Sequence, residues 1–150
     1  MTVIERALPA DRPAIEELLA SNDLPLDELA LALPLAVVAR EGGSVVGSAA
    51  VEAYGPAGLL RSVCVSPAVR GTGLGRALVV AAEEAAAAAG VTDLFLLTET
   101  AEEWFPRLGY ECVTRGEVPE ALLASPEFAS VCPESSAVMR KRLGAGAGER

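Results

Sequence analysis

The spacing of apolar positions changes several times along the chain, and each change predicts an element. Residues 2–6 alternate weakly and read as a first strand. A helix is predicted from about residue 11, because Ile15, Leu18 and Leu19 share one helical face and Pro13 suits a first turn. Ser21-Asn22-Asp23-Leu24-Pro25-Leu26 breaks that helix, and a short helical stretch over 27–31 leads into an apolar strand at 35–40. Gly42-Gly43 and Gly55-Pro56-Ala57-Gly58 then separate runs at 35–40, 44–54 and 59–65, which predicts three strands in an antiparallel meander.

Beyond residue 72 the pattern becomes helical. Residues 73–89 are rich in alanine and leucine and stop at Gly90, the usual end signal of a helix. A buried strand is predicted at 93–97. Strand, helix and strand in that order imply a right-handed crossover that makes 59–65 and 93–97 parallel neighbours, free to splay at one end. A short helix over 101–108 ending at Gly109, a strand at 110–114, a broken helical excursion over 119–131 and a last strand at 137–143 complete the reading. The fold class is α/β with a mixed sheet. There is no internal repeat or linker, so 1–143 reads as one domain and 144–150 as a disordered tail.

Composition narrows the chemistry. With 150 residues, 51% of them hydrophobic, the chain can bury a core without disulfides or a structural metal. A formal charge of -9 repels phosphate backbones and anionic lipid, which argues against nucleic-acid or membrane partners. Histidine is absent, so Ser-His and Cys-His nucleophile pairs, histidine metal sites and the usual near-neutral base are all excluded. Cys64, Cys112 and Cys132 lack metal or redox spacing and read as small buried side chains. The N-terminus shows no signal core, and the longest apolar stretch, 74–90, is interrupted by Arg76, Glu83 and Glu84. A soluble cytoplasmic protein without a metal is expected.

The most informative stretch is Val63-Cys64-Val65-Ser66-Pro67-Ala68-Val69-Arg70-Gly71-Thr72-Gly73-Leu74-Gly75-Arg76-Ala77-Leu78: a strand, a glycine loop and a helix start. Glycines let backbone amides approach an anion, a helix N-terminus adds unpaired N–H groups, and Arg70 and Arg76 add positive charge. The dinucleotide pattern G-x-G-x-x-G would need glycine where Arg76 stands, and no G-K-[ST] follows for a nucleotide loop. A plain glycine turn at a helix start is the alternative.

These residues resemble the GCN5-related N-acetyltransferase (GNAT) family, whose signature R/Q-x-x-G-x-G/A is matched by Arg70, Gly73 and Gly75. Trp104-Phe105-Pro106-Arg107-Leu108-Gly109-Tyr110 is similar to the family's later F-Y-x-x-L-G-F segment. Within the family, Glu52-Ala53-Tyr54, Leu59-Leu60-Arg61-Ser62-Val63 and the segment from Phe128 through Cys132-Pro133 to Met139 resemble the arsenic-resistance branch, and some amino-acid acetyltransferases carry a similar Cys-Pro-Ser segment. The resemblance implies a mixed, mostly antiparallel sheet with helices on both faces and a splay between the fourth and fifth strands. It also implies acetyl-CoA in that splay, its pyrophosphate on the amides of Gly71, Thr72, Gly73, Leu74, Gly75 and Arg76 beside Arg70. Val63, Cys64 and Val65 would meet the pantetheine and acetyl group, Val63 and Val65 through backbone atoms.

The implied reaction needs an amine to lose a proton, a donor for the oxyanion and a proton for the departing thiolate. Glu52, on the strand before the cofactor strand, is the first candidate base, against the alternatives of a solvent-facing carboxylate or an anchor for the substrate ammonium. Glu99 and Glu103 are lesser candidates. Phe105 stands where the family often has an acid tyrosine; Tyr54 is the better polar candidate, and Tyr110 reads as a packing residue. Arg61 suits a substrate carboxylate, with an exposed strand charge as its alternative. The function implied is acetyl transfer to a small amino-acid-like amine, including arsenic- or phosphorus-containing ones. A non-catalytic acyl-CoA-binding module and a protein N-acetyltransferase are the alternatives, and a homodimer is left open.

Overall fold

In the computed structural model of the chain, residues 2–21, 33–69, 71–98, 103–123 and 137–143 are described. Seven strands are present among them: β1 (Thr2–Arg6), β2 (Val37–Glu41), β3 (Ser44–Tyr54), β4 (Ala57–Val65), β5 (Asp93–Thr98), β6 (Glu111–Val113) and β7 (Ala137–Arg142). The helices are α1 (Arg12–Ser21), α2 (Leu74–Ala88) and the single turn α3 (Glu120–Leu123). The strands hydrogen-bond in the order β1-β2-β3-β4-β5-β7-β6, a mixed sheet in which β4 and β5 are the parallel pair. The GNAT-type fold read from the sequence is therefore the fold observed.

Several boundaries move for local reasons. β2 starts at Val37, not residue 35, because Leu33–Leu35 forms a 3₁₀ turn around Pro34, which has no N–H to give a ladder. β4 starts at Ala57, since Gly55 (φ 70°) and Pro56 complete the turn. The helix predicted over 101–108 is, in its described part, a 3₁₀ turn at Phe105–Leu108, closed by Gly109 at φ 101°. The strand predicted at 110–114 shortens to β6, and the excursion from 119 contributes α3. The helical stretch at 27–31, residues 124–131 and the tail lie outside the described residues.

Two compact units interleave along the chain: Met1–Glu52 with Leu60–Ala85, and Ala53–Leu59 with Ala86–Arg150. In the first, β1, β2 and β3 are antiparallel, with Thr2 opposite Glu41 and Val37 opposite Ala49. The register steps between Ala39 and Arg40, leaving Val46 unmatched. α1 lays Ile15, Leu18 and Leu19 on Val38 and Cys64. Neighbouring residues of a strand point to opposite faces, so Ala39 faces away from α1. A Cβ on Gly47 would stand 3.6 Å from that of Ala39, 2.7 Å from Leu78 Cδ1 and 3.2 Å from the Cys64 carbonyl oxygen, which places α2 on the face opposite α1 and leaves little room for a side chain at this strand position.

The start of α1 is pinned electrostatically. Arg40 donates to Asp11 through Nη1 and Nη2, at 2.9 and 2.6 Å, and the Leu8 N–H donates to the same carboxylate at 2.7 Å. Arg40 also donates to Glu5. The guanidinium hydrogen bonds hold the Asp11 carboxyl below its usual range against the opposing effect of burial, and raise Arg40 further above its own.

In the second unit β4 pairs with β5 over Ala57–Asp93, Gly58–Leu94 and Leu59–Phe95. That register ends there, while β4 runs on to Val65 and β5 to Thr98. β5 is antiparallel to β7, and β7 to β6. Leu59, Phe95, Val118, Leu122 and Val138 form the core, with Tyr54 packed against it. Cys112 is exposed, contrary to the expectation of a buried thiol, because β6 is an edge strand of the sheet. Cys64 is buried as expected, and Cys132 lies outside the described residues.

Candidate functional site

The strand–loop–helix stretch singled out in the sequence is built as one continuous device. At its start, Cys64 is buried and its thiol reaches the Leu18 carbonyl at the end of α1, at 3.7 Å, while Val63 and Val65 are half-buried. The Ser66 N–H donates to the carbonyl of the unmatched Val46 at 2.8 Å, so the irregularity in β3 holds the point where the chain leaves β4. Pro67–Val69 makes a 3₁₀ turn, and the Thr72 hydroxyl closes back onto the Val69 carbonyl at 2.7 Å.

Gly71 and Gly73 then take φ of 82° and 84°, a region that side chains disfavour. A Cβ at either would meet nothing within 4 Å, so glycine is required by the backbone turn and the loop stays open on that side. The Ala77 N–H bonds the Gly73 carbonyl at 3.2 Å as the first bond of α2. The N–H groups of Leu74, Gly75 and Arg76 therefore precede any intrahelical acceptor and carry the positive end of the helix dipole. The Arg76 side chain is exposed. Arg70 lies outside the described residues.

Glu52 and Arg61, proposed from sequence for separate tasks, are brought together. Arg61 Nη1 donates to Glu52 Oε2 at 2.6 Å, and both side chains are 1% exposed. This replaces the solvent-facing alternatives considered for each: turning a hairpin at Gly55-Pro56 puts both on paired strands in the interior, where either charge alone would be costly. Arg61 Nε also reaches Ser62 Oγ at 3.2 Å.

Two residues with no sequence signal join them. Ser62 has φ 60°, the one positive value for a non-glycine residue among those described. The Ser48 hydroxyl, on β3 and 1% exposed, donates to the Ser62 carbonyl at 2.7 Å. Serine spacing announces neither role, because a backbone angle inside a strand leaves no periodic trace.

The remaining candidates separate clearly. Tyr54 is half-buried against the core of the second unit. Phe105 is buried, edge-on to Trp104 at 4.8 Å and to Tyr110 at 5.6 Å between ring centroids. Tyr110 is buried with Lys141 over its ring, in keeping with a packing role. Glu103 is exposed, and Glu99 lies outside the described residues. Among the described residues no group of three or more His, Cys, Asp or Glu side chains is placed to hold a metal, and no helix is long and apolar enough to cross a membrane.

Comparison with known proteins meets this geometry. The family pattern described as Acetyltransferase (GNAT) domain matches residues 34–112, from the turn before β2 into β6. An amino-acid acetyltransferase of Ralstonia nicotianae is 35% identical over 85 residues, which are 55% of this chain and 19% of that protein. The structure is similar to that of N-acetylglutamate synthase from Neisseria gonorrhoeae complexed with coenzyme A and N-acetyl-glutamate, with a TM-score of 0.82 and 24% identity over 96% of this chain and 35% of the synthase. It is also similar to a Mycobacterium tuberculosis protein solved in complex with CoA, with a TM-score of 0.79 and 26% identity over 95% of this chain and 99% of that one. The chain thus spans about a fifth of the curated relative and about a third of the gonococcal synthase. Since the family pattern covers more than half of the residues and includes β4, the glycine loop and α2 whole, the chain belongs to the GNAT acetyltransferase family.

Proposed function

We propose that this chain is an acetyl-CoA-dependent N-acetyltransferase acting on the amine of a small amino-acid-like molecule, with 1–143 as its transferase domain. The observation that carries the reading is the open glycine loop between β4 and α2, lying inside the family match. Its amides at 71–76, with Arg70 and Arg76, suit a pyrophosphate, and the Cβ directions at Gly71 and Gly73 are clear for one. The backbone of Val63 and Val65 takes the pantetheine and acetyl group, beside Cys64. The acceptor class is supported by the Ralstonia amino-acid acetyltransferase and by the N-acetyl-glutamate bound to the gonococcal synthase.

In this reading Glu52 takes a proton from the acceptor ammonium, directly or through water, and the freed nitrogen attacks the thioester carbonyl carbon. A backbone N–H of the 63–65 segment stabilises the oxyanion. The C–S bond breaks, the amide nitrogen releases its second proton to water, and the thiolate takes a proton from Tyr54 or water. Arg61 holds the acceptor's acid group. Because it also holds Glu52, the ammonium and the acid of one α-amino acid address two halves of a neutral pair. The pair is 1% exposed, so acceptor binding includes uncovering it. A narrower acceptor, an amino acid bearing an arsenic- or phosphorus-based acid, rests on the resemblance at Glu52-Ala53-Tyr54 and around Arg61.

The test is release of free CoA thiol from acetyl-CoA over a panel of amino acids, their arsenic and phosphorus analogues, decarboxylated amines and peptides. Release that depends on an acid-bearing amine supports the proposal. Binding of acetyl-CoA with no turnover would favour an acyl-CoA-binding module, consistent with phenylalanine at 105, and turnover with peptides alone would favour a protein acceptor.

A further inference from the structure

The geometry points to Ser48 as a positioning residue for acetyl transfer: its hydroxyl latches Ser62 in a left-handed backbone conformation and thereby sets the direction of the Val63 N–H. This rests on the acetyl-transfer reading above.

Three observations on β3 and β4 support it. Ser62 holds φ 60° in the middle of a strand, a conformation in which a side chain crowds its own backbone. Such a residue relaxes toward extended geometry unless its surroundings hold it. The Ser48 hydroxyl, 1% exposed, donates to the Ser62 carbonyl at 2.7 Å, and Arg61 Nε reaches the Ser62 hydroxyl at 3.2 Å. The third is Ser62's place in the chain, immediately before Val63. The peptide joining them is planar and trans, so the Ser62 C=O and the Val63 N–H point in opposite directions. Anchoring that oxygen therefore aims that N–H. The buried Glu52–Arg61 pair is tied to the same residue, through Arg61 Nε and the Ser62 hydroxyl.

The experiment compares wild type with Ser48→Ala, Ser62→Gly and the double variant, reading kcat and KM for acetyl-CoA by thiol release, with thermal unfolding of each. Ser48→Ala is expected to lower kcat by about 10- to 100-fold, the range for a misaimed donor, with KM for acetyl-CoA little changed. Ser62→Gly keeps φ 60° without strain but loses the hydroxyl that Arg61 reaches, so its own kcat is the reference for the double variant. Because glycine takes φ 60° without being held there, Ser48→Ala is expected to cost much less in the Ser62→Gly background than in wild type. A purely structural hydroxyl would show losses that multiply in the double variant. Ser48→Cys, nearly isosteric and a weak donor, serves if the alanine variant folds poorly, and should behave like it. Wild-type kcat in Ser48→Ala or Ser48→Cys, or a double variant no faster than the product of the singles, overturns the assignment. If wild type binds acetyl-CoA but acetylates no amine, the transfer reading itself fails, and the positioning role fails with it.

Discussion

Arg61 and Glu52 neutralise each other across the β3–β4 hairpin at 2.6 Å, with neither side chain more than 1% exposed. A two-residue turn at Gly55-Pro56 is enough to bring together charges nine positions apart in sequence. The interior tolerates them only as a pair, which ties the chemistry of either residue to the stability of both.

Glu52→Gln is expected to lower kcat/KM by roughly 10²- to 10⁴-fold at neutral pH, and by less at alkaline pH, where more of the amine is already unprotonated. It should also destabilise the fold by about 3–5 kcal/mol by stranding the Arg61 charge, whereas replacing both residues with apolar ones should recover much of that. Rates are to be compared well below the variant's melting temperature. A pH–rate profile matching wild type in height and shape would move the base elsewhere.

Arg61→Ala and Arg61→Lys are expected to weaken catalysis on an α-amino acid by about 1.5–3 kcal/mol, or tenfold to above a hundredfold in kcat/KM, beyond the loss on its decarboxylated amine, which reports only the disturbed Glu52. Lysine should rescue little, because an ammonium lacks the planar fork. Equal losses on both substrates would assign Arg61 to holding Glu52 and Ser62 in place of reading an acid.

Gly73→Glu is expected to abolish acetyl-CoA binding measured by calorimetry. Its φ of 84° makes any side chain strained, by about 1–2 kcal/mol, and a carboxylate there opposes a phosphate. Gly73→Ala should lose much less, since a Cβ meets nothing within 4 Å. A folded Gly73→Glu protein that keeps wild-type affinity would remove the loop from the binding site.

The Asp11–Arg40 contact predicts an acid dependence. Asp11 titrates below its ordinary value of 3.8 in the folded chain, chiefly because Arg40 hydrogen-bonds it. Its contribution to stability is then complete above about pH 4 and is lost as pH falls through the lower folded value. Asp11→Asn should cost about 1.5–3 kcal/mol at pH 7, from loss of the charge-assisted bonds, and the gap to wild type should shrink in urea unfolding below pH 4. A gap that does not change with pH would mean that Asp11 is not the titrating group.

Much of the molecule was decided by local pattern. The run at 44–54 between two glycine turns, the alanine-rich run after Gly73 and the stop at Gly90 depend on backbone geometry and helix propensity alone, and β3 and α2 follow them within a residue. The glycine loop was equally legible, because glycine at positive φ is a property of the sequence as much as of the fold. Proline explains most of what moved: Pro34 delays β2, and Pro106 lies within the 3₁₀ turn where a regular helix was predicted.

Tertiary structure alone decided which charges meet. Nothing in the spacing of Glu52 and Arg61 shows that they share one buried bond, since each also fits an exposed strand position. Nor does the sequence mark Ser62 as left-handed or Ser48 as its latch, because the strain at one and the hydrogen bond from the other exist only once two strands pair. Backbone preference is local and can be read from neighbours along the chain. Partnership between buried polar groups is non-local, fixed by the register of strands, and therefore belongs to the folded molecule.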